Sequence, residues 1–387
     1  MSVSVWRDAR SNDVVATVDV AIIGGGIAGL AIARQCVARG LLPAVIEARD
    51  LAAGATGRNA GFAMTGLADH YVTLVNEHGR ARAREIWQVS QENLRELIDD
   101  VAGGEGIACD LVPCGSVVAA WTPKERDEIA ASYELLREDG FDVTLLDANA
   151  ANERLGSQRF LGGLFVRADH GVHPVKLVRG LAANLVNAGA KILEHHDVRA
   201  IEDEGDGVRV RTVKGDIKAP RVVLATNAYT RQIEPYFQDR VVPVRGQVLA
   251  TAPVPPLLKA LVYTDDGFEY ARQLPDGTVV AGGWRRAFAD SEVGYADEIT
   301  PGVQAGIEQF LYEAWPSLRE VPITHRWSGV MGFSKNGLPM VGTMPSRPRV
   351  GFAVGFTGHG LGFAFAAGRR MVDVLYGGDA GIFATGR

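Results

Sequence analysis

Apolar residues are spaced along this chain in two ways: short continuous runs, and longer stretches in which they recur every third or fourth position. The run Val20-Ala21-Ile22-Ile23 predicts a buried strand, and Leu30, Ala33 and Val37 mark one face of the helix after it, stopped by Gly40 in a left-handed turn. Residues 43–47 predict a second strand. Helical spacing returns over 81–101 through Ile86, Val89, Leu94, Leu97 and Ile98. A further helix is predicted over 123–138, with Pro123 in its first turn and Gly140 beyond its end. Another opens at His173-Pro174, runs through Leu177, Leu181 and Leu185, and closes at Gly189 before a strand at 191–193.

Beyond that point the period shortens. Residues 198–201, 208–213 and 217–219 predict short strands separated by Asp206-Gly207 and Lys214-Gly215-Asp216, which suit hairpins. The apolar segment 221–227 runs into small polar residues, as a parallel strand of the first unit does. Strand-like pieces at 247–251, 268–273 and 278–282 alternate with connections rich in proline, predicting an antiparallel sheet over a pocket. The strand at 351–356 then turns through Thr357-Gly358-His359-Gly360-Leu361-Gly362 into a helix reaching about Leu375.

The first strand, turn and helix carry chemistry. Gly24 permits the sharp turn, Gly26 lets backbone approach a pyrophosphate, and Gly29 lets the helix close on the sheet. The helix start, at Ile27 and Ala28, offers unpaired N–H groups to phosphates. Glu47, with Ala48 after it, stands where a carboxylate accepts from ribose hydroxyls. A dinucleotide site follows.

Composition narrows the picture. The chain's 387 residues exceed what one core usually supports, and the 47% hydrophobic and 22% charged content is that of a globular protein. A net charge of -6, with no basic stripe, argues against nucleic acid. Cys36, Cys109 and Cys114 have neither zinc spacing nor even number, so reduced thiols and a cytoplasmic location are expected. Arg7, Asp8 and Arg10 leave no apolar core for a signal peptide, and the run from Val20 is too short and glycine-rich for a transmembrane segment. His195-His196-Asp197 reads as solvated surface, so no metal site is expected.

The glycine turn, Gly57-Arg58-Asn59-Ala60-Gly61, the 222–229 segment, 327–342 and 355–362 together resemble the D-amino acid oxidase superfamily of flavoproteins, which includes glycine oxidase, sarcosine oxidase and γ-glutamylputrescine oxidoreductase. The leader with Trp6 looks like the last of these branches. The resemblance implies an α/β (α+β) fold with a Rossmann-like FAD-binding domain (1–90, 161–237 and 326–387) interleaved with a substrate domain on an antiparallel sheet (91–160 and 238–325). It implies FAD held by Gly24, Gly26, Ile27, Ala28, Gly29, Glu47 and Ala48. Thr56, Arg58, Asn59, Ala60 and Gly61 would pass the pyrophosphate and flavin, Val198 would pair with adenine, and Thr226 would lie near the phosphates. Gly332 and the amides of Gly358, His359, Gly360 and Leu361 would border the flavin, where donors favour the reduced state. No cysteine falls in these motifs, so the FAD is expected to be non-covalent.

Departures from the family pattern shape the substrate. Met331 stands where glycine oxidase and D-amino acid oxidase carry an arginine that clamps the substrate carboxylate, and a thioether does not replace a bidentate guanidinium. No lysine is seen near 280–283, where sarcosine oxidase activates oxygen. The expectation is oxidation of a primary or secondary amine by hydride transfer to flavin N5, the imine then hydrolysing, with O2 or a respiratory acceptor reoxidising the cofactor. His359, Tyr270 and Arg272 are the candidate catalytic and pocket residues, and Trp327 is weighted toward packing. Arg285 and Arg286, after Gly282-Gly283, could attract an acidic substrate or a partner, but such a pair is more often simply exposed. Two other readings stand beside this one: a D-amino acid or cyclic amino acid oxidase or dehydrogenase with Arg272 as replacement clamp, and a flavin-binding assembly or partner protein without turnover.

Overall fold

The computed structural model describes residues 14–385, so the reading of Trp6, Arg7, Asp8 and Arg10 lies outside the described residues. The strand Val20–Ile23 is buried at every position. Alternate strand residues face opposite ways, and here both sides are covered: Val20 and Ile22 join one apolar cluster, Ala21 and Ile23 another. Two-sided burial is why the segment is continuously apolar rather than alternating. It sits inside a six-stranded sheet ordered Met340–Met344, Arg347–Val354, Arg221–Leu224, Val20–Ile23, Pro43–Ile46, Lys191–Leu193. Only the first pair is antiparallel. Helices Ile27–Ala38, Pro174–Asn187 and Gly360–Leu375 bury their apolar faces on one side. A four-stranded sheet (Val14–Thr17, Gly215–Ala219, Gly207–Thr212, Val198–Glu204) covers the other through Ala16, Val208, Val210 and Ile217.

The second large sheet has eight strands, ordered Ile323–Phe333, Val242–Thr251, Val279–Gly283, Glu269–Gln273, Leu261–Thr264, Ser116–Ala119, Gly163–Val166, Thr144–Leu146. It is antiparallel except where Leu261–Thr264 runs parallel to Ser116–Ala119. Helix Pro301–Ala314 packs Val303, Ile307, Phe310 and Leu311 against Leu249, Val262, Ala271 and Ala281. Tyr270 and Arg272, flanking Ala271, belong to the opposite face. The mixed α/β class with a second, largely antiparallel sheet is as expected.

Some boundaries differ from the pattern. The helix expected over 81–101 is Arg80–Arg95, continued by wider π-helical turns over Glu96–Gly104. The change begins at buried Glu96, which accepts from Arg34 Nη1 at 2.6 Å and Gln35 Nε2 at 3.0 Å and also meets Arg369. The helix Tyr71–His78 and the strands Ser116–Ala119, Thr144–Leu146 and Gly163–Val166 have no counterpart in the pattern. They are too short to establish a period.

Candidate active site

The strand Val20–Ile23 ends in a glycine turn that meets the helix Ile27–Ala38 beside a cavity of about 710 Å³. Gly24 takes φ +117°, and a Cβ there would stand 2.6 Å from the Ala225 carbonyl oxygen. One on Gly29 would stand inside the Gly24 carbonyl, so the absence of side chains is what seats the helix on the turn. The Ile27 N–H, in the first turn, donates to Thr56 Oγ1 at 3.2 Å. Glu47 is oriented by two backbone donors: Gly25 N–H to Oε2 at 2.8 Å and Arg49 N–H to Oε1 at 2.9 Å.

The cavity is lined by Gly24, Gly26, Ile27, Ala28, Glu47, Ala48, Thr56, Asn59, Val198, Thr226, Gly358, Gly360 and Leu361. Carboxylate, helix-start amides and glycine walls suit the ribose and diphosphate of a dinucleotide. At its far end lies the start of Gly360–Leu375. Among the described residues, no backbone acceptor takes the N–H of Gly358, Gly360 or Leu361, whereas the His359 N–H is used by Phe356 O at 2.8 Å. The expectation that the His359 amide also faces the flavin is therefore corrected: that donor turns inward, and the His359 side chain is what reaches a cavity wall.

Several other members of the expected set do not line this cavity. Gly29 lies under the turn and does not border the cavity. Gly332 is likewise displaced: a Cβ there would meet Asn227 Oδ1 at 2.5 Å, and Val330 and Met331 line the cavity instead. Gly61 faces inward, its carbonyl taken by Arg272. Arg58 and Ala60 border a second, adjoining cavity rather than this one; the Arg58 guanidinium runs to Asp297 Oδ1 at 2.6 Å and Ser328 O at 2.9 Å, and the bond to Asp297 holds its pKa above the ordinary range. Asn59 locks its loop, donating to Thr56 O at 2.8 Å and accepting from Gly61 N–H at 2.7 Å. Trp327 Nε1 donates to Arg58 O at 2.9 Å, a packing role. His195 and His196 diverge: His195 Nε2 lies 3.3 Å from Asp50 Oδ1, and His196 Nδ1 contacts Glu194 O at 2.8 Å.

A second cavity, about 330 Å³, shares Ala55, Asn59, Met331, Gly358, Gly360 and Leu361 with the first. Phe62, Tyr263 and Tyr270 form an aromatic wall, with Phe62 edge-on to Tyr270 at 5.7 Å. Burial pushes the Tyr270 hydroxyl up to about 12, and that of Tyr263 is raised by the same cause. His359 stands edge-on to Tyr263, and its Nδ1 lies 3.0 Å from Thr357 O. A carbonyl oxygen only accepts, so Nδ1 carries the proton and neutral His359 keeps a lone pair on Nε2. Lost hydration lowers its pKa, which favours that neutral form. Asp69 also lines the cavity, its pKa raised by burial and by the like charges of Asp266 and Glu77.

Arg272 does not face this cavity, and the expectation of a carboxylate clamp there is corrected. Its buried guanidinium donates from Nη1 to the carbonyls of Gly61 at 2.6 Å and Val172 at 3.1 Å. Two arginines do line the cavity: Arg58, whose guanidinium is taken by Asp297, and Arg285, for which the sequence favoured simple exposure over attraction of an acidic substrate. Asp69, Tyr263 and the phenyl rings of Phe62, Phe268 and Phe333 also escaped the sequence reading.

Residues 19–374 match the family model described as DAO, FAD dependent oxidoreductase. Over 390 residues the chain is 26% identical to a probable oxidoreductase OrdL of Haemophilus influenzae, covering 97% of this chain and 88% of that one. It is 28% identical to gamma-glutamylputrescine oxidoreductase of Escherichia coli, covering 93% and 84% respectively. Its structure resembles that of glycine oxidase from Geobacillus kaustophilus with a TM-score of 0.77 at 23% identity, covering 96% of this chain and 99% of that one. The dinucleotide cradle and a family match across nearly the whole described chain lead to one conclusion: the chain belongs to the DAO family of FAD-dependent oxidoreductases.

Proposed function

We propose that this enzyme oxidises the C–N bond of a primary or secondary amine to an imine, which water hydrolyses to a carbonyl product. The observation that carries this is the meeting of the two cavities at Met331, Gly358, Gly360 and Leu361, which sets a dinucleotide cradle against an aromatic-walled pocket of small-molecule size. Bound FAD supplies the two-electron acceptor for the hydride leaving the substrate α-carbon.

The chain's residues bind, orient and desolvate. Glu47 accepts from the ribose hydroxyls, and the Ile27–Ala38 helix start with Thr56 receives the diphosphate. The free amides of Gly358, Gly360 and Leu361 would serve as donors to the flavin, where they would favour the charge gained on reduction. Phe62, Tyr263 and Tyr270 keep water from the reacting carbon, and His359 Nε2 accepts a hydrogen bond from the substrate nitrogen. FAD is held without a covalent bond, since neither Cys109 nor Cys114 lines either cavity. O2 or a respiratory carrier takes the electrons.

Anaerobic mixing of the FAD-loaded protein with a panel of amines and amino acids tests the proposal. Bleaching of the flavin band by amines is the expected result. No bleaching across the panel would leave the flavin-binding partner reading in its place.

A further inference from the structure

Arg285 and Arg286 are adjacent, yet their surroundings are opposite. Arg286 is exposed and paired with Asp265 Oδ2 at 3.0 Å and Asp266 Oδ2 at 3.1 Å. Arg285 turns into the second cavity, where among the described residues its guanidinium has neither an ion pair nor a hydrogen bond. Its Cζ lies over two phenyl rings, 4.7 Å from the Phe268 centroid, a ring it shares with Arg286, and 4.8 Å from that of Phe333. Burial lowers its pKa, and although Asp69 and Asp266 border the same cavity, neither is paired with it.

A partly buried cation normally finds an acidic partner, because losing hydration without one is costly. Ring faces hold the guanidinium plane and offset part of that cost, but they take none of its five N–H donors. A flat, pre-oriented and unused donor fork matches a carboxylate. Its place in the cavity also sets a distance. Phe333 lies two residues beyond Met331 on one strand face, a step of roughly 6.7 Å, and only Met331 of the two also borders the dinucleotide cavity.

We propose that Arg285 binds a carboxylate of the substrate, so that the amine oxidised here carries its acid group several bonds from the reacting C–N bond. This rests on the amine oxidation proposed above and names its substrate class. Met331 leaves the near position without a carboxylate clamp, and the charge is read one pleat farther out.

Calorimetric titration of the FAD-loaded protein with hexanoate and hexanamide tests this without turnover. The wild type is expected to bind the acid at least about tenfold more tightly than the amide, the range of a charge-assisted hydrogen bond. R285Q should bind the two alike, and R285K should recover part of the preference; FAD content and melting temperature verify that each variant is folded. The assignment is overturned if the wild type shows no preference, or if R285Q retains it. Should R285Q not fold, the wild-type comparison and R285K still decide. A protein that bleaches with amines but ignores the carboxylate keeps the proposed reaction and loses Arg285. One that prefers the acid but oxidises nothing does the reverse.

Discussion

Arg272 Nη1 donates to the Gly61 carbonyl oxygen at 2.6 Å and to Val172 O at 3.1 Å, tying the loop after Asn59 to the segment that enters helix Pro174–Asn187. The guanidinium works behind the pocket wall, and burial lowers its pKa. Arg272→Ala strands the buried Val172 carbonyl and leaves Gly61 O only its bond from the Val172 N–H, and is expected to cost about 2–4 kcal/mol of stability, with a parallel loss of bound FAD. The ratio of turnover on acidic and neutral amines should not move. A selective loss on acidic amines would return Arg272 to the substrate.

The two glycines flanking the helix start respond differently to a methyl group. In Gly29→Ala the Cβ collides with the Gly24 carbonyl, backbone that has nowhere to go, and loss of soluble folded protein is expected. In Gly26→Ala the Cβ stands 3.0 Å from Thr56 Oγ1, a side-chain atom that can shift by a few tenths of an ångström. That variant should fold and bind FAD about tenfold or more weakly, because the displaced hydroxyl and the new methyl crowd the diphosphate path. Reconstituting apoprotein with FAD gives the comparison, and equal affinities for wild type and Gly26→Ala would remove Gly26 from the cradle.

Asp169 is fully buried between the segment that follows Phe62–Ala63 and the strand Ser116–Ala119. It accepts from Thr65 N–H at 2.9 Å, Thr65 Oγ1 at 2.8 Å and Ser116 Oγ at 2.6 Å. Burial outweighs these donors and raises its pKa from 3.8 to about 7. The folded chain thus holds this proton more tightly than the unfolded one. Its contribution to stability is full below pH 3.8, falls as pH rises, and is gone above about 7. Asp169→Asn keeps an acceptor for Thr65 and has no proton to lose, so it should gain on the wild type in chemical denaturation between pH 5 and pH 8. A constant difference across that range would show that Asp169 does not titrate there.

The cofactor cradle was legible because covalent spacing alone builds it: Gly24, Gly26 and Gly29 lie within one turn and helix start, and Glu47 directly follows the next strand, Pro43–Ile46. The substrate pocket was not, and the two arginines show why. Strand Val279–Gly283 ends with Gly283 at φ +120° and Trp284 at φ +54°, which breaks the two-residue alternation just before Arg285. Nothing local then tells which arginine faces inward. For Tyr270 and Arg272 the alternation held, and both lie on the face opposite Ala271, yet a common face is not a common cavity. Arg272 falls under the 60–61 loop, whose position depends on contacts distant in sequence. Gly332 fails for the complementary reason: it neighbours Met331 and so points to the other side, against Asn227.

His359 offers the most direct chemical test. Its Nδ1 proton is committed to Thr357 O at 3.0 Å, which leaves Nε2 as an acceptor only while the ring is neutral. Burial lowers its pKa below the ordinary 6.5, while Asp69 pulls weakly the other way. The ring is therefore neutral at pH 7, and protonation begins only in more acidic solution, where Nε2 turns from acceptor to donor. The rate of anaerobic flavin reduction at saturating amine should fall with an acid limb centred below pH 6.5. His359→Gln, which cannot titrate, should lose that limb and lower the plateau about tenfold to a hundredfold, the loss of one well-placed hydrogen bond in a desolvated site. His359→Phe should lower it further, with FAD binding retained because the neighbouring Gly358, Gly360 and Leu361 amides are backbone groups. An acid limb that persists unchanged in His359→Gln would assign the titration to the substrate amine or to Asp69.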